Sequence, residues 1–200
     1  MTTILSMTKL EAVNICLSVM GQPKVTDLSG SAVDAEIAAD IIDEVSREVQ
    51  NKGWHWNREQ HELPPNAGNE IVVPNNAIRI DTDRTDLLIN VTVRGNRLFN
   101  LTDNTYTFTT PVKVGFIVYL EFDELPASAK DFIAKKAARL FQERMLGSTT
   151  LTQFQAEDLA RLWAEMQRED IAAGDYNALR DNYTVATMIN RGSFARGNFR

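Results

Sequence analysis

The chemically most reactive stretch of the chain runs from Trp54 to Glu62 and holds two histidines and two glutamates. Imidazole and carboxylate groups are zinc ligands, so this stretch could in principle bind a metal ion. The spacing of His55 and His61 fits neither the i, i+4 pair of a helical HExxH motif nor a zinc finger. With 2 His in the whole chain, no further imidazole completes a site. We therefore interpret the stretch as an aromatic-rich strand and predict no metal site.

Two adjacent carboxylates, Asp123 and Glu124, suggest a second kind of chemistry. A pair of acids can flank a glycosidic bond in a hydrolase. Acids also stabilise a helix N-terminus through the helix dipole, and a helix is predicted to begin directly after these two. We favour the structural interpretation and keep the hydrolase as the alternative.

The other motifs associated with catalysis or ligand binding are incomplete. The acids within 81–86 alternate as in a calcium loop, but Asp86 and Thr92 stand where Gly and Glu are required. Cys16 falls within an apolar helical stripe, and the sequence has no GxSxG elbow, GxGxxG turn or phosphate-binding P-loop. We therefore predict no catalytic residues, no cofactor and no enzymatic activity.

The C-terminal segment has the composition of a partner-binding tail. After Asp181 it holds no acidic side chain, and it shows no sustained periodicity. Arginine and aromatic side chains are favoured anchors at protein interfaces. We predict that 175–200 is extended and contacts a partner protein through Arg191, Phe194, Arg196, Phe199 and Arg200.

The charge balance argues against tight, non-specific DNA binding. The chain has 21 Lys and Arg against 27 Asp and Glu, a net charge of −6, whereas DNA-binding domains usually carry a basic face. A single cysteine cannot form an internal disulfide, which fits a reducing cytoplasm. Residues 1–10 lack the pattern of a signal peptide, and no run approaches the ~18 apolar residues of a membrane span. We expect a soluble protein made in the cytoplasm.

Hydrophobic periodicity predicts four amphipathic helices, of which two precede the middle of the chain. The first begins at a capping box of Thr8 and Glu11 and ends at Gly21. The second runs from about 31 to 52 and ends at Gly53. Their apolar stripes are Leu10, Val13, Leu17 and Met20 in the first helix, and Val33, Ile37, Ile41, Val45 and Val49 in the second.

Two further helices follow the middle of the chain. The third begins at or near Pro126 and ends at Gly147, and the fourth spans about 151–173 before Gly174. Their apolar faces are Phe132, Ile133, Ala137, Leu140, Phe141 and Met145 in the third helix, and Leu151, Phe154, Leu159, Leu162, Trp163 and Met166 in the fourth.

Between the two helical parts, 54–122 has the pattern of short strands separated by turns. Leu87–Arg94 and Arg97–Leu101 flank Gly95-Asn96, a dipeptide typical of a two-residue hairpin turn. Val112–Phe122 is rich in Val, Ile, Phe and Tyr and is predicted to be a longer strand. The segment therefore predicts a small, mostly antiparallel sheet.

The order of elements predicts an α+β fold. It is a four-helix bundle with a small, mostly antiparallel β lobe inserted between the second and third helices, plus an extended C-terminal tail. The predicted domains are a discontinuous helical bundle of 1–53 and 123–174, an inserted β domain of 54–122, and a tail of 175–200.

Four stretches within the helical parts form a specific combination. They are Ala12–Asn14 with Gly21, Pro23, Val25 and Leu28; Arg47–Trp54 with Asn57; Asp123–Pro126 with Lys136–Arg139, Phe141, Arg144 and Gly147; and Gly174–Asn177. Together they resemble the tail tubular protein A family of short-tailed bacteriophages. The resemblance covers 10–57 and 121–180, while the strand-rich middle and the extreme C-terminus depart from it.

The resemblance implies a head-to-tail adaptor, a structural protein of the virion tail that is assembled in the host cytoplasm. Twelve subunits would form a ring that joins the portal protein to the tail nozzle protein, with no membrane involved. DNA would pass through the central channel without specific binding, and the acidic net charge agrees because carboxylates repel phosphates. The alternative is a tail-associated glycan or cell-wall hydrolase that uses Asp123 and Glu124.

Overall fold

The computed structural model describes residues 6–29, 32–82, 89–147 and 152–173, and within them an α+β fold. The helices are α1 (Lys9–Val19), α2 (Val33–Gln50), α3 (Ala127–Leu146) and α4 (Thr152–Ala173). The strands are β1 (Arg58–Leu63), β2 (Ala77–Thr82), β3 (Val91–Arg94), β4 (Arg97–Asn100) and β5 (Val112–Val118). Short 3₁₀ turns at His55–Asn57 and Phe122–Glu124 stand before and after the strand-bearing part.

The helix ends follow from local sequence. At the start of α1, the Thr8 hydroxyl accepts the Glu11 N–H at 3.3 Å, and the Glu11 carboxylate accepts the Thr8 N–H at 2.7 Å. This reciprocal capping box confirms the predicted start of the first helix. Gly147 ends α3 in the left-handed conformation at φ 62°, as predicted, because glycine adopts positive φ without a Cβ clash.

The helices share one hydrophobic cluster, and α3 contacts α1, α2 and α4. Burying one large aliphatic or aromatic side chain contributes about 1.5–3 kcal/mol to the free energy of unfolding. The helical cluster is therefore a main source of stability. Its largest fully buried members are Val13, Leu17, Ile41, Ile42, Val45, Phe122, Ile133, Phe141 and Met166.

The strands form two antiparallel sheets. The first has the order β1-β5-β2, and the second is the hairpin β3-β4, whose turn is Gly95-Asn96 as predicted. Segment 71–73 runs beside β4, where the Leu98 N–H donates to the Ile71 carbonyl at 2.9 Å. A second hydrophobic cluster lies beneath these strands and includes Ile71, Val73, Val91, Leu98, Phe108, Val112, Val114, Phe116 and Val118.

The two clusters meet at Leu120, whose side chain packs against both. The chain passes between the clusters twice, once over 54–57 and once over 119–121. In the described part of the chain, no helix is long and apolar enough to cross a membrane.

Several predicted boundaries were wrong. The strand predicted over 112–122 ends at Val118, because Phe122 turns into the helical cluster in a 3₁₀ turn. The predicted strand at 54–62 begins only at Arg58, after another 3₁₀ turn. The first strand of the hairpin was predicted over 87–94 but begins at Val91. Of the predicted residues before Val91, 87 and 88 lie outside the described residues.

Two residues predicted for apolar faces are exposed. Val33 is 70% exposed because it is the first residue of α2, and the buried face begins only at Ala35. Met145 is 39% exposed in the last turn of α3. Leu151 and the side chain of Phe154 lie outside the described residues. Periodicity therefore identified the correct helices but extended their apolar stripes beyond the core.

Candidate interaction site

A buried amide, Gln50, joins the two hydrophobic clusters. Its Nε2 donates to the Leu120 carbonyl at 2.8 Å and to the Ser46 hydroxyl at 2.9 Å, while its Oε1 accepts the Leu120 N–H at 2.8 Å. The side chain is fully buried at the last turn of α2. One side chain therefore satisfies both backbone groups of Leu120, where the chain returns from the sheet to the helices.

Asn57 connects the two clusters at the first crossing, over 54–57. Its Nδ2 donates to the carbonyls of Gln50, at 3.0 Å, and Val118, at 3.2 Å, and its Oδ1 accepts the Trp54 N–H at 2.8 Å. The Trp54 indole N–H donates to the Val49 carbonyl at 2.8 Å, so Trp54 folds back onto the end of α2. These contacts involve Arg47–Trp54 and Asn57, one of the four stretches on which the family resemblance rests.

Aromatic side chains around Trp54 connect α4 to this junction. The Trp163 ring of α4 meets Trp54 edge-on at 5.2 Å and lies 5.1 Å from Phe132 of α3. His55 also contacts α4, since its Nδ1 lies 2.6 Å from the Asp170 carboxylate, which in addition accepts the His55 N–H at 2.7 Å. The His55 side chain thus serves to dock a helix.

The structure separates the reactive side chains of the stretch 54–62. His61 pairs with Glu59 on the exposed strand β1 at 2.7 Å, whereas His55 pairs with Asp170. Within the described segments, no group of three or more His, Cys, Asp or Glu side chains is placed to hold a metal ion. The side chains of 81–86, the calcium-loop candidate, lie outside the described residues.

The carboxylates of Asp123 and Glu124 both accept backbone hydrogen bonds. Asp123 accepts the Lys9 N–H at 3.0 Å, and Glu124 accepts the Glu121 N–H at 3.3 Å. The predicted stabilisation of a helix N-terminus therefore occurs, but Asp123 acts on α1 rather than on the helix that follows it, because the fold brings the start of α1 beside this turn.

Cys16 lies fully inside the helical cluster on α1, and burial raises the pKa of its thiol to about 12. Because the thiolate is the reactive species, we expect no labelling of the native protein by a thiol reagent such as DTNB at pH 8. In denaturant the single cysteine should react completely. Absorbance at the reporter wavelength measures both states, and rapid labelling without denaturant would contradict the burial of this face of α1.

Three acids of α2 form ion pairs with neighbouring helices. Glu44 accepts two hydrogen bonds from the Arg144 guanidinium of α3, both at 2.8 Å. Two further pairs join α2 to its neighbours, Asp43 with Lys9 at 2.7 Å and Glu48 with Lys136 at 2.7 Å. The bidentate pair of Arg144 and Glu44 has more favourable hydrogen-bond geometry than the other two pairs.

The Arg144 hydrogen bonds, followed by its charge, hold the pKa of Glu44 below the usual glutamate value. A depressed folded-state pKa gives stability that is present above the unfolded pKa and is lost as pH falls through the folded pKa. We expect Arg144→Gln to raise the pKa of Glu44, as measured by NMR titration of its carboxyl carbon. Arg161→Gln, which removes the exposed α4 pair with Asp158, is the control and should leave this titration unchanged. An unaltered Glu44 titration in Arg144→Gln would show that the pair is not formed in solution.

The predicted partner-binding residues, Arg191, Phe194, Arg196, Phe199 and Arg200, lie outside the described residues, as do Gly174–Asn177. Sequence reasoning assigned no contact role to the β3-β4 hairpin. The structure nevertheless collects Arg94, Arg97, Phe99 and Tyr106 on the outer side of that hairpin, and we call this set the hairpin face. Arg97 and Phe99 alternate with the buried Leu98 along β4, but the strand has four residues and the alternation alone does not show which side is exposed.

In the described segments, the acids and histidines named above cap a helix or form ion pairs, and the buried amides Gln50 and Asn57 join the two clusters, an arrangement typical of a structural protein. The family model for tail tubular proteins matches residues 10–176, and the chain belongs to that family. One relative is tail tubular protein A of Klebsiella phage KP34, which is 24% identical over 189 residues that cover 94% of this chain and 99% of the relative. The resemblance inferred from the sequence is thereby confirmed, and the chain is a structural protein of a bacteriophage tail.

Proposed function

We propose that this protein is the ring-forming adaptor that joins the portal to the tail nozzle and surrounds the DNA exit channel. The observation that carries the proposal is the family match over 10–176. A net charge of −6 supports it, because a ring of acidic subunits repels the phosphates of DNA moving through its centre.

In this proposal each part of the chain has a separate task. The helices of 1–53 and 123–174 form a bundle that builds the ring wall, and 54–122 forms a β domain that projects towards the nozzle. Twelve copies join by heterologous contacts, which give a closed ring when the rotation between neighbours closes. The tail of 175–200 reaches the portal, with Arg191, Phe194, Arg196, Phe199 and Arg200 as its contacts. The buried bonds of Gln50 and Asn57 support this division, because they hold the two clusters in one orientation.

Light scattering of the purified protein, alone and mixed with the portal protein of the same phage, tests the assembly. We expect the mass of a twelve-subunit ring, either alone or only in the mixture, since an oligomer can require its partner to form. A monomer that remains a monomer in the presence of portal would contradict the adaptor role.

Deletion of 188–200 tests the proposed tail contact. We expect the shortened chain to lose portal binding in a sedimentation assay, because arginine and aromatic anchors supply much of an interface's affinity. Its thermal unfolding should match that of the full chain, since the described members of both hydrophobic clusters all come from 7–166. Normal portal binding by the deletion variant would overturn the assignment of the tail while leaving the ring itself in place.

The hydrolase alternative gains no support from the structure. The Asp123 and Glu124 carboxylates accept the N–H groups of Lys9 and Glu121, so both acids have structural partners. We therefore do not propose that activity.

A further inference from the structure

Phe99 is a buried aromatic residue on the outer side of the β3-β4 hairpin. It is 6% exposed, yet it belongs to neither hydrophobic cluster. Side chains alternate along a strand, so the burial of Leu98 in the β cluster places Arg97 and Phe99 on the opposite side. Something other than the core must therefore cover the Phe99 ring.

Arg94 and Tyr106 provide that cover. The Arg94 guanidinium carbon lies 3.7 Å from the centroid of the Phe99 ring, and the Tyr106 ring meets Phe99 edge-on at 4.8 Å. The register agrees with this arrangement, since Arg94 lies opposite Arg97 and Thr92 lies opposite Phe99. The hairpin face is thus an ordered layer of two arginines and two aromatic rings on the solvent side.

The two arginines differ in their partners. Arg97 forms an ion pair with Glu70 at 2.6 Å and lies 4.7 Å from the centroid of the Tyr106 ring. Arg94 is exposed and, among the described residues, has a ring contact but no carboxylate partner. The face therefore carries two guanidinium groups and one carboxylate, a local positive charge on a chain whose net charge is −6.

A guanidinium whose carbon lies 3.7 Å above a ring centroid, as that of Arg94 does, can keep N–H groups available at its edge. Such a group can donate two parallel hydrogen bonds to a carboxylate, and less rotamer freedom is lost because the stacking already orders it. Arginine and tyrosine are also the residues enriched at energetically important interface positions. Val72, which lies directly opposite Arg97 and is half-exposed, adds apolar surface beside them.

We propose that the hairpin face binds a carboxylate-bearing surface of the tail nozzle protein, with Arg94 as the central contact. This inference rests on the proposed adaptor function, in which the β domain projects towards the nozzle. A protein carboxylate fits the hairpin face better than DNA does, because Glu70, the ion-pair partner of Arg97, would repel phosphates and DNA affinity requires several unpaired cations. A single stacked guanidinium instead matches one bidentate carboxylate.

The test measures binding of the purified nozzle protein of the same phage to the immobilised adaptor. We expect Arg94→Gln to weaken binding by about tenfold or more, because it leaves the partner's carboxylate without its bidentate donor. Arg94→Lys should also weaken binding, since lysine retains the charge but lacks the planar fork. Lys113→Gln is the matched control, because Lys113 is an exposed cation of β5 without an ion pair among the described residues, and it should bind like the wild type.

Three other results would overturn the inference, and each points to a different cause. Wild-type affinity in Arg94→Gln and Arg94→Lys would show that the hairpin face does not contact the nozzle protein. Loss of ring assembly, or of binding to a fluorescent DNA duplex, with nozzle binding unchanged would assign the face to a second copy or to phosphate. No nozzle binding by the wild type would overturn the adaptor function as well. Circular dichroism melting of Arg94→Gln establishes that the variant is folded at the assay temperature.

Discussion

Replacing Gly53 by alanine is expected to lower the free energy of unfolding by about 3 kcal/mol. Gly53 has φ +75°, and a left-handed conformation costs a residue with a Cβ about 1–2 kcal/mol. A Cβ built at this position would also lie 2.6 Å from Ile117 Cδ1, and overpacking of a buried site costs about 1–3 kcal/mol. In a chain of this size the sum corresponds to a fall in melting temperature of about 6–12 °C, which calorimetry or circular dichroism can measure.

Gly95→Ala is the matched control for this prediction. Gly95 has a similar φ of +66°, but a Cβ there would have nothing within 4 Å, so only the conformational cost of about 1–2 kcal/mol applies. The difference between the two variants isolates the contact with Ile117. Equal losses of stability would show that Ile117 moves aside at no cost and that the close approach of Gly53 to β5 is not required.

Replacing Gln50 by alanine is expected to cost about 3 kcal/mol, because the Leu120 N–H and carbonyl would both lose their partner, at about 1–3 kcal/mol for each unsatisfied group. Gln50→Glu should be similarly destabilising at neutral pH, since it retains the acceptor but removes the donor to the Leu120 carbonyl. Urea unfolding of the purified variants gives the free energies directly.

Gln60→Ala provides the comparison for the Gln50 variants. Gln60 is an exposed residue of β1, and surface substitutions of this kind usually change stability by less than about 0.5 kcal/mol. A Gln50→Ala variant as stable as Gln60→Ala would mean that water replaces the lost amide at the junction, and the proposed coupling of the two clusters would lose its basis.

Features set by neighbouring residues could be predicted from the sequence. The capping box of Thr8 and Glu11, the glycine stops at Gly53 and Gly147 and the turn at Gly95-Asn96 each involve residues close together in the chain. Local chemistry alone determines such features, so their position is readable without knowledge of the fold.

Features set by distant residues could not be predicted. Asp123 caps a helix whose first residue, Lys9, lies 114 positions away. Gln50 has the polarity of a surface residue but is buried, because the returning chain at Leu120 supplies its partners. The strand through Val118 ends early for the same reason, since the Leu120 N–H beyond it donates to Gln50 and Phe122 packs into the helical cluster.

Of the two candidate contact surfaces, one could be predicted from the sequence and the other could not. Composition indicated the tail of 175–200, because an acid-free run of arginines and phenylalanines is visible in the sequence. The hairpin face required the register that places Arg94 opposite Arg97 and leaves Phe99 outside the core. A strand of four residues is too short for alternation alone to distinguish an exposed face from a buried one.

The double crossing between the clusters has a mechanical consequence. Both crossings are bonded to the same residue, Gln50, through its side chain at Leu120 and through its backbone carbonyl at Asn57. Bending the sheet relative to the helices would break these buried hydrogen bonds, so the protein resists bending at the junction of the two clusters. A force applied to the strands is then transmitted to the helices as rotation of the whole protein. In the proposed ring, neighbouring copies would therefore have to rotate together.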